Sequence, residues 1–459
     1  MHTSSSTYFK KVKKDIDRVS PSFCLAKWQQ VTIHLQTGLT HSCHHPEPHK
    51  IELSELRENN SALHNTNIKK LARKEMLEGT RPKECSYCWQ IEDAKKDNIS
   101  DRAIKSAEEW SYPHLKHISS LPWDANVNPT YAEVSFGHEC NFKCAYCAPN
   151  VSSSILNEVH KYGTYTSLPD FSIEAMKRNG TYPIPLDQVN PYVEAFWNWW
   201  PSLQKDLAIF RITGGEPLLN SNTFKFLNQI IQNPLPALEL AINSNLGIPD
   251  TTFRKFLDLI KIITEKRLIK KFVLYTSVDS HGKHAEFVRF GMNYSNFLKN
   301  VNLFLQEIPN CDLVIMCTYN LFSVVNFKLL LDDLAILKNN YRNEHDGPRV
   351  ILDIPYLNSP EFFSCKVLPH RFKAFIKRDI DHLKQIAANP GGKIIYYPYE
   401  IAKLERIYYW FITLQENEHT IMLRKLFSKF ISEYCERKKI QHTDYVPEYK
   451  DFIEMCSLY

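Results

Sequence analysis

The spacing of apolar and polar positions changes character along this chain near residue 130. Residues 29–35 (QQVTIHL) alternate polar and apolar side chains, the period of a half-buried strand. Thr37-Gly38 then supplies a hairpin turn, and the return strand runs through Leu39 to Cys43. Residues 69–77 have helical spacing and stop before Gly79, with Pro82 just beyond, a cap followed by a breaker. The polar stretch 92–106 reads as a partly helical linker.

Beyond this point short apolar strands alternate with amphipathic helices. Strands are expected at 131–135, 207–212, 238–242, 271–276, 313–317 and 350–354. Helices are expected at 224–232, 252–263, 294–306 and 327–337. Alternation of this kind builds parallel βα units, so the fold class is α/β. Six units imply a partial (β/α)6 barrel, open on one side, rather than a closed eightfold one. An insertion at 150–205 carries the run Phe196-Trp197-Asn198-Trp199-Trp200, which is expected to pack in a core. After Pro369 the chain is mainly helical, most clearly at 372–386 and 401–436. The expected organisation is a flexible tail (1–22), a small α+β module (23–106), the partial barrel (107–370) and a helical C-terminal region (371–459).

Composition narrows the possible partners. Of 459 residues, 43% are hydrophobic and 23% charged, the balance of a globular protein. The 56 basic residues exceed the 51 acidic ones by only five and are scattered, so no nucleic-acid partner is expected. The run Lys10-Lys11-Val12-Lys13-Lys14 reads as part of a solvated tail. No apolar stretch is long enough to span a membrane, and the N-terminus lacks the apolar core of a signal peptide. The expected location is the cytoplasm.

Seven of the 12 cysteines fall in the first third of the chain, in two groups with metal-ligand spacing. In a reducing compartment such spacing favours metal binding over disulfides. The tighter group is His138-Glu139-Cys140-Asn141-Phe142-Lys143-Cys144-Ala145-Tyr146-Cys147, on one loop after a strand. Three thiolates converging from one loop suit an iron–sulfur cluster and leave one iron of a 4Fe–4S cubane without a protein ligand. At the next strand end lies Thr213-Gly214-Gly215-Glu216-Pro217. Its glycines let backbone approach a ligand closely, and carbonyls with Glu216 can accept from an ammonium.

The three-cysteine loop, with Tyr146 before its last cysteine, resembles the radical S-adenosylmethionine (radical SAM) superfamily, and the Gly214-Gly215-Glu216 motif is similar to the family's glycine motif. The resemblance implies a 4Fe–4S cluster on Cys140, Cys144 and Cys147, with S-adenosylmethionine bound at the open iron. It further implies a 5′-deoxyadenosyl radical that abstracts hydrogen from substrate, and an electron donor such as flavodoxin or ferredoxin. Tyr146, Gly214, Gly215, Glu216, Asn243, Ser277 and Arg289 are the implied cofactor contacts. Arg289 resembles an arginine that pairs with the cofactor's carboxylate. Asn245, Asp279, Thr318, Asn320, Tyr356 and Asn358 also lie at strand ends, where loop capping is an equal alternative. No catalytic residue is assigned.

The second group is Cys24, Cys43, Cys85 and Cys88. Its spacing resembles the twitch or SPASM modules of radical SAM enzymes, which carry auxiliary 4Fe–4S clusters. Placed before the barrel, it is similar to a group with an N-terminal twitch domain. Structural zinc on the same four residues is the competing reading. The neighbouring His41, His44, His45 and His49 are expected mostly at the surface. Cys311, Cys317, Cys365, Cys435 and Cys456 show no ligand spacing. The resemblance implies oxidation or bond formation on a peptide or amino-acid-like substrate, with dehydrogenation of a small alcohol or sugar as the alternative. A non-catalytic cluster or zinc protein is the reading from another class.

Overall fold

The computed structural model describes residues 2–95, 98–388 and 393–459. Its strands in chain order are β1 (Gln30–His34), β2 (Leu39–His41), β3 (His49–Lys50), β4 (Tyr131–Ser135), β5 (Lys143–Cys144) and β6 (Ile209–Thr213). They continue with β7 (Leu235–Ser244), β8 (Ile269–Ser277), β9 (Arg289–Phe290), β10 (Asp312–Met316) and β11 (Val350–Asp353). The six strands expected after residue 130 form as β4, β6, β7, β8, β10 and β11. Between them lie helices Ser221–Gln232, Asp250–Glu265, Tyr294–Glu307 and Phe327–Asn340, close to the expected spans. The fold is α/β, with parallel strands and many helices. Among the described residues no helix is long and apolar enough to cross a membrane.

The chain divides into two compact units. One comprises Met1–Gly137, Pro183–Gly214 and Pro234–Ala241; the other comprises His138–Tyr182, Gly215–Asn233 and Ile242–Tyr459.

In the first unit β4 pairs in parallel with β6 on one side and with β1 on the other. β1 turns back antiparallel into β2, which pairs with β3. The strand of the N-terminal module therefore shares a sheet with the first strand of the α/β series, with His34 opposite Ser135. Val31 and Ile33 are fully buried, and Gln30 and Thr32 nearly so, as in a strand covered on both faces. The hairpin turns on Gly38, at φ +66°, where the Tyr192 ring lies so close that a Cβ would meet it at 2.1 Å. Tyr192 belongs to helix Pro191–Leu203, whose Phe196, Trp199 and Trp200 are buried. The aromatic run is core packing, and Trp199 Nε1 donates to Asn128 Oδ1 at 2.9 Å.

Two expectations for this unit are corrected. Residues 1–22 are not a flexible tail: His2–Val19 is a helix. Phe9, Val12, Ile16 and Val19 recur at helical spacing; Val12 and Ile16 are fully buried and the other two pack against the same core. The lysines of residues 10–14 flank that stripe, and Lys13 pairs with Asp17 at 3.0 Å. The stretch 92–106, of which residues 96–97 lie outside the described residues, is more than a linker. Ser100, Arg102 and Ser106 are buried, because Arg102 binds Glu92 at 2.9 Å, Asp17 at 2.7 Å and the Phe23 carbonyl at 2.8 Å.

In the second unit β8, β10 and β11 are parallel neighbours. The outer strand β11 is covered by helix Pro398–Thr413. Buried Glu400 accepts from the Leu352 N–H at 2.6 Å and from Lys338 Nζ at 2.7 Å. Lys338 also donates to the Val350 carbonyl at 2.8 Å, so buried charges occupy the polar groups of an edge strand. The stretch 401–436, expected as one helix, is two: Pro398–Thr413 and Glu418–Lys438. Asn417 separates them because its Oδ1 accepts the Thr420 N–H at 3.0 Å and starts a new helix.

Candidate functional site

The three-cysteine loop lies in the second unit and is braced along its length. β5, which contains Cys144, pairs antiparallel with β9, setting Cys144 opposite Arg289. The Ala145 N–H donates to the Val288 carbonyl at 2.7 Å. The Cys140 N–H donates to Ser153 Oγ at 3.1 Å, and Ser154 Oγ donates to the Cys140 carbonyl at 2.6 Å. Phe142 is buried against Gly247, where an added Cβ would meet the ring at 2.2 Å. A loop held at so many points presents its thiols in one arrangement.

Those cysteines are half-buried and close enough for their charges to act on one another. Burial pushes Cys147 up to about 12, with Cys140 adding to the rise. Burial raises Cys144 as well, while the Arg289 guanidinium opposes the shift and the other two thiols add to it. Metal binding at such a site displaces protons from neutral thiols.

Arg289 is held by a closed network that the sequence did not reveal. Its Nε donates to Asp279 Oδ2 at 2.9 Å, and its NH2 group donates to Asp279 Oδ1 at 3.0 Å and to the Tyr146 hydroxyl at 2.6 Å. Tyr146 in turn donates to Asp279 Oδ2 at 2.8 Å. Only NH1 turns elsewhere, and it lies 4.0 Å from Cys144 Sγ. Asp279 also accepts the Thr318 N–H at 3.1 Å, which joins the ends of β8 and β10.

The glycine motif packs backbone against backbone. Gly214, in the first unit, has φ +123°, and a Cβ there would meet Ser135 Oγ at 2.6 Å and the Gly137 carbonyl at 2.8 Å. In the second unit a Cβ on Gly215 would lie 2.4 Å from the Glu139 carbonyl oxygen, and that carbonyl accepts the Glu216 N–H at 2.6 Å. The Glu216 carboxylate is buried and accepts from Leu218 N (3.1 Å), Ser244 Oγ (2.9 Å) and Asn245 N (2.6 Å). Burial still pushes it up to about 7. Glu216 thus ties the glycine turn to the end of β7. These observations put three half-buried cysteines on a braced loop, with Gly215 against the Glu139 carbonyl of that loop.

Known proteins carry related sequence and shape. No protein-family model matches the chain. GTP 3′,8-cyclase of Sulfurimonas denitrificans is 25% identical over 128 residues, 28% of this chain and 31% of that protein. The match therefore spans about a third of the cyclase's length. The solved structure of native anSMEcpe with bound AdoMet shares 16% identity over 57% of this chain and 61% of its own, with a TM-score of 0.36. Streptococcus suis SuiB bound to S-adenosylmethionine shares 12% over 80% of this chain and 72% of its own, also at 0.36. The cysteine loop, the glycine turn and the cyclase-like stretch agree. Together they are what makes the chain similar to the radical SAM superfamily.

Several contacts that the resemblance implies are already engaged. Arg289 spends its guanidinium on Asp279 and Tyr146, which a cofactor carboxylate would have to share. Asn245 donates to Asn141 Oδ1 at 2.9 Å and accepts the Gly247 N–H at 2.8 Å. Asn320 caps the Leu321–Ser323 turn, accepting from Phe322 N at 2.9 Å. Asn243 and Ser277 stand half-buried at the ends of β7 and β8. Tyr356, 41% exposed, lies beyond β11 with the Trp410 ring 5.5 Å away.

The four remaining cysteines of interest come together in the first unit. Cys24, Cys43, Cys85 and Cys88 line one pocket with Lys27 and Arg102. Burial pushes Cys24 up to about 12, and the charges of the other three thiols add to the rise. Burial likewise takes Cys88 up to about 11. Buried Lys27 pairs with Glu84, and Trp89 Nε1 fixes the adjoining turn by donating to the Pro82 carbonyl at 2.9 Å. A single tetrahedral zinc ion, with Zn–S near 2.3 Å, holds its thiolates about 3.8 Å apart. Among the described residues no three cysteine sulfurs lie within 4.8 Å of one another.

The histidines beside Cys43 differ from expectation. His41 is buried: its Nδ1 donates to the Cys43 carbonyl at 2.5 Å, and its Nε2 lies 3.2 Å from His34 Nε2. Because the Nδ1 proton is committed, His34 is the donor of that pair. His49 is half-buried against Thr66 Oγ1 at 2.8 Å. Both Thr40 and His41 of β2 are buried, which a surface reading of a polar histidine run misses.

Proposed function

We propose that this protein is an enzyme that reductively cleaves S-adenosylmethionine and abstracts hydrogen from a peptide or amino-acid-like substrate. In this reading Cys140, Cys144 and Cys147 hold a 4Fe–4S cluster, and Cys24, Cys43, Cys85 and Cys88 hold an auxiliary one that assists oxidation or bond formation. The observation that carries the proposal is the gathering of three half-buried, mutually interacting cysteines on one braced loop. Glu216, the acid whose charge bears on Cys140, has its carboxylate committed to three donors and is not a fourth ligand. When bound, the cluster and S-adenosylmethionine together supply a 5′-deoxyadenosyl radical.

The chain's own residues prepare that chemistry. Gly214 and Gly215 admit a ligand close to backbone, and carbonyls of the turn accept from its ammonium. Arg289 sets positive charge beside Cys144, and Asp279 with Tyr146 fixes its direction. Burial of the loop excludes water. The four cysteines that line one pocket support a single centre there. Exposed Tyr356 beside Trp410 supports a substrate with apolar or peptide character at the end of β11.

The test is anaerobic reconstitution with iron and sulfide, then S-adenosylmethionine and a reductant. 5′-Deoxyadenosine should appear, and should vanish when any loop cysteine becomes alanine. A protein that holds the three-cysteine cluster yet makes none is not this enzyme.

A further inference from the structure

The segment that carries Cys43 continues as His44-His45, and Asp101 opens the helix Asp101–Ser106. One oxygen of Asp101 receives both imidazoles: His45 Nε2 lies 2.8 Å and His44 Nε2 3.5 Å from Oδ2. The three donor atoms are all within 4.8 Å of one another, the only such group of three among the described residues. The His45 ring is stacked on Tyr87 at 3.8 Å and 16°, and the His44 ring lies 4.3 Å from it at 49°. A hydrogen bond to one carboxylate accounts for one imidazole. It gives no reason for a second, 59% exposed, to aim at the same oxygen.

We propose that His44, His45 and Asp101 form a mononuclear site for a divalent transition metal, separate from the four thiols. Metal–nitrogen bonds of 2.0–2.1 Å in a tetrahedral site put donors about 3.3 Å apart, and the two distances to Asp101 bracket that value. Two imidazoles and a carboxylate suit iron(II), zinc or cobalt(II); calcium and magnesium prefer all-oxygen sites. Three protein ligands leave positions for water or a small ligand. His45 and Asp101 also line the four-cysteine pocket, so a metal here would clamp the Cys43 segment to the helix at Asp101.

The full chain, reconstituted with iron and sulfide and desalted, is titrated with cobalt(II). The expected result is one cobalt per chain with ligand-field bands and no thiolate-to-cobalt charge transfer. H44A and D101N should each weaken uptake by more than the roughly 10–100-fold that loss of an outer-sphere partner costs. Iron and sulfide contents should not change. H44A alters an exposed residue, so folding is not at stake. The proposal is overturned if the wild type takes up no cobalt, if H44A and D101N bind it as the wild type does, or if H44A loses cluster iron.

Discussion

The three-cysteine loop and the four-cysteine pocket bind their thiols by opposite strategies. The loop gathers its ligands from eight consecutive residues and holds them with a short ribbon, β5 to β9, and the serines at 153 and 154. The pocket draws its ligands from three separate segments: the turn before Ala26–Gln29, the strand end after β2 and the turn into Ser86–Ala94. Their charge settings are alike: in each, a cation already paired to a carboxylate also reaches a thiol, Arg289 (with Asp279) beside Cys144 in the loop and Lys27 (with Glu84) beside Cys85 in the pocket.

The largest effect that separates the two comes from the thiols themselves. C140A, C144A or C147A should abolish 5′-deoxyadenosine formation, while C85A/C88A should retain cleavage, lose coupled turnover and lose roughly four irons per chain. Cleavage lost in a folded C85A/C88A protein would erase the division of labour between the centres. Next comes Arg289. Its positive charge favours the reduced cluster, so R289Q should lower the midpoint potential followed by EPR-monitored titration. A tenfold smaller ratio of reduced to oxidised cluster at fixed poise corresponds to about 59 mV for one electron. D279N removes a negative charge and should raise it instead, Y146F, which changes no charge, should shift it less than either, and none of the three should change the four-cysteine centre.

Two glycines sharpen the comparison at the level of packing. A Cβ at Gly215 collides with the Glu139 carbonyl, and one at Gly38 collides with the Tyr192 ring. Each should cost about 1–3 kcal/mol by overpacking, read as a fall in melting temperature. G215A should deplete iron at the loop, whereas G38A, by disturbing the hairpin that presents Cys43, should deplete it at the pocket.

The smallest effect is a control remote from both centres. Burial pushes Asp379 up to about 7 despite Arg378, whose NH2 group lies 2.8 Å away. A carboxyl whose folded pKa exceeds its unfolded value of 3.8 gives stability that is full below 3.8 and lost as pH rises through 7. D379N should therefore melt above the wild type at pH 8 and approach it near pH 4, with metal content unchanged at both centres.

The loop was legible because its chemistry is local. Three thiols, an aromatic before the third and a glycine turn one strand later define a motif without any knowledge of packing. The strands were equally legible, since runs such as Leu313 to Cys317 are apolar throughout. What escaped were partnerships over long separations. Asp279 reads as a generic strand-end acid until the fold brings Arg289 and Tyr146 to it. The first helix was missed because its apolar stripe is narrow and hidden among lysines.

The amino-acid order alone determined the α/β alternation, the two cysteine groups and the family resemblance they carry, because these depend on period and spacing within short windows. Tertiary structure decided that β1 joins β4 in one sheet, that Glu216 serves the glycine turn, and that His44 and His45 meet Asp101. Each of those is a contact between segments far apart in the chain. Only burial and chain path select which of many compatible polar partners meet.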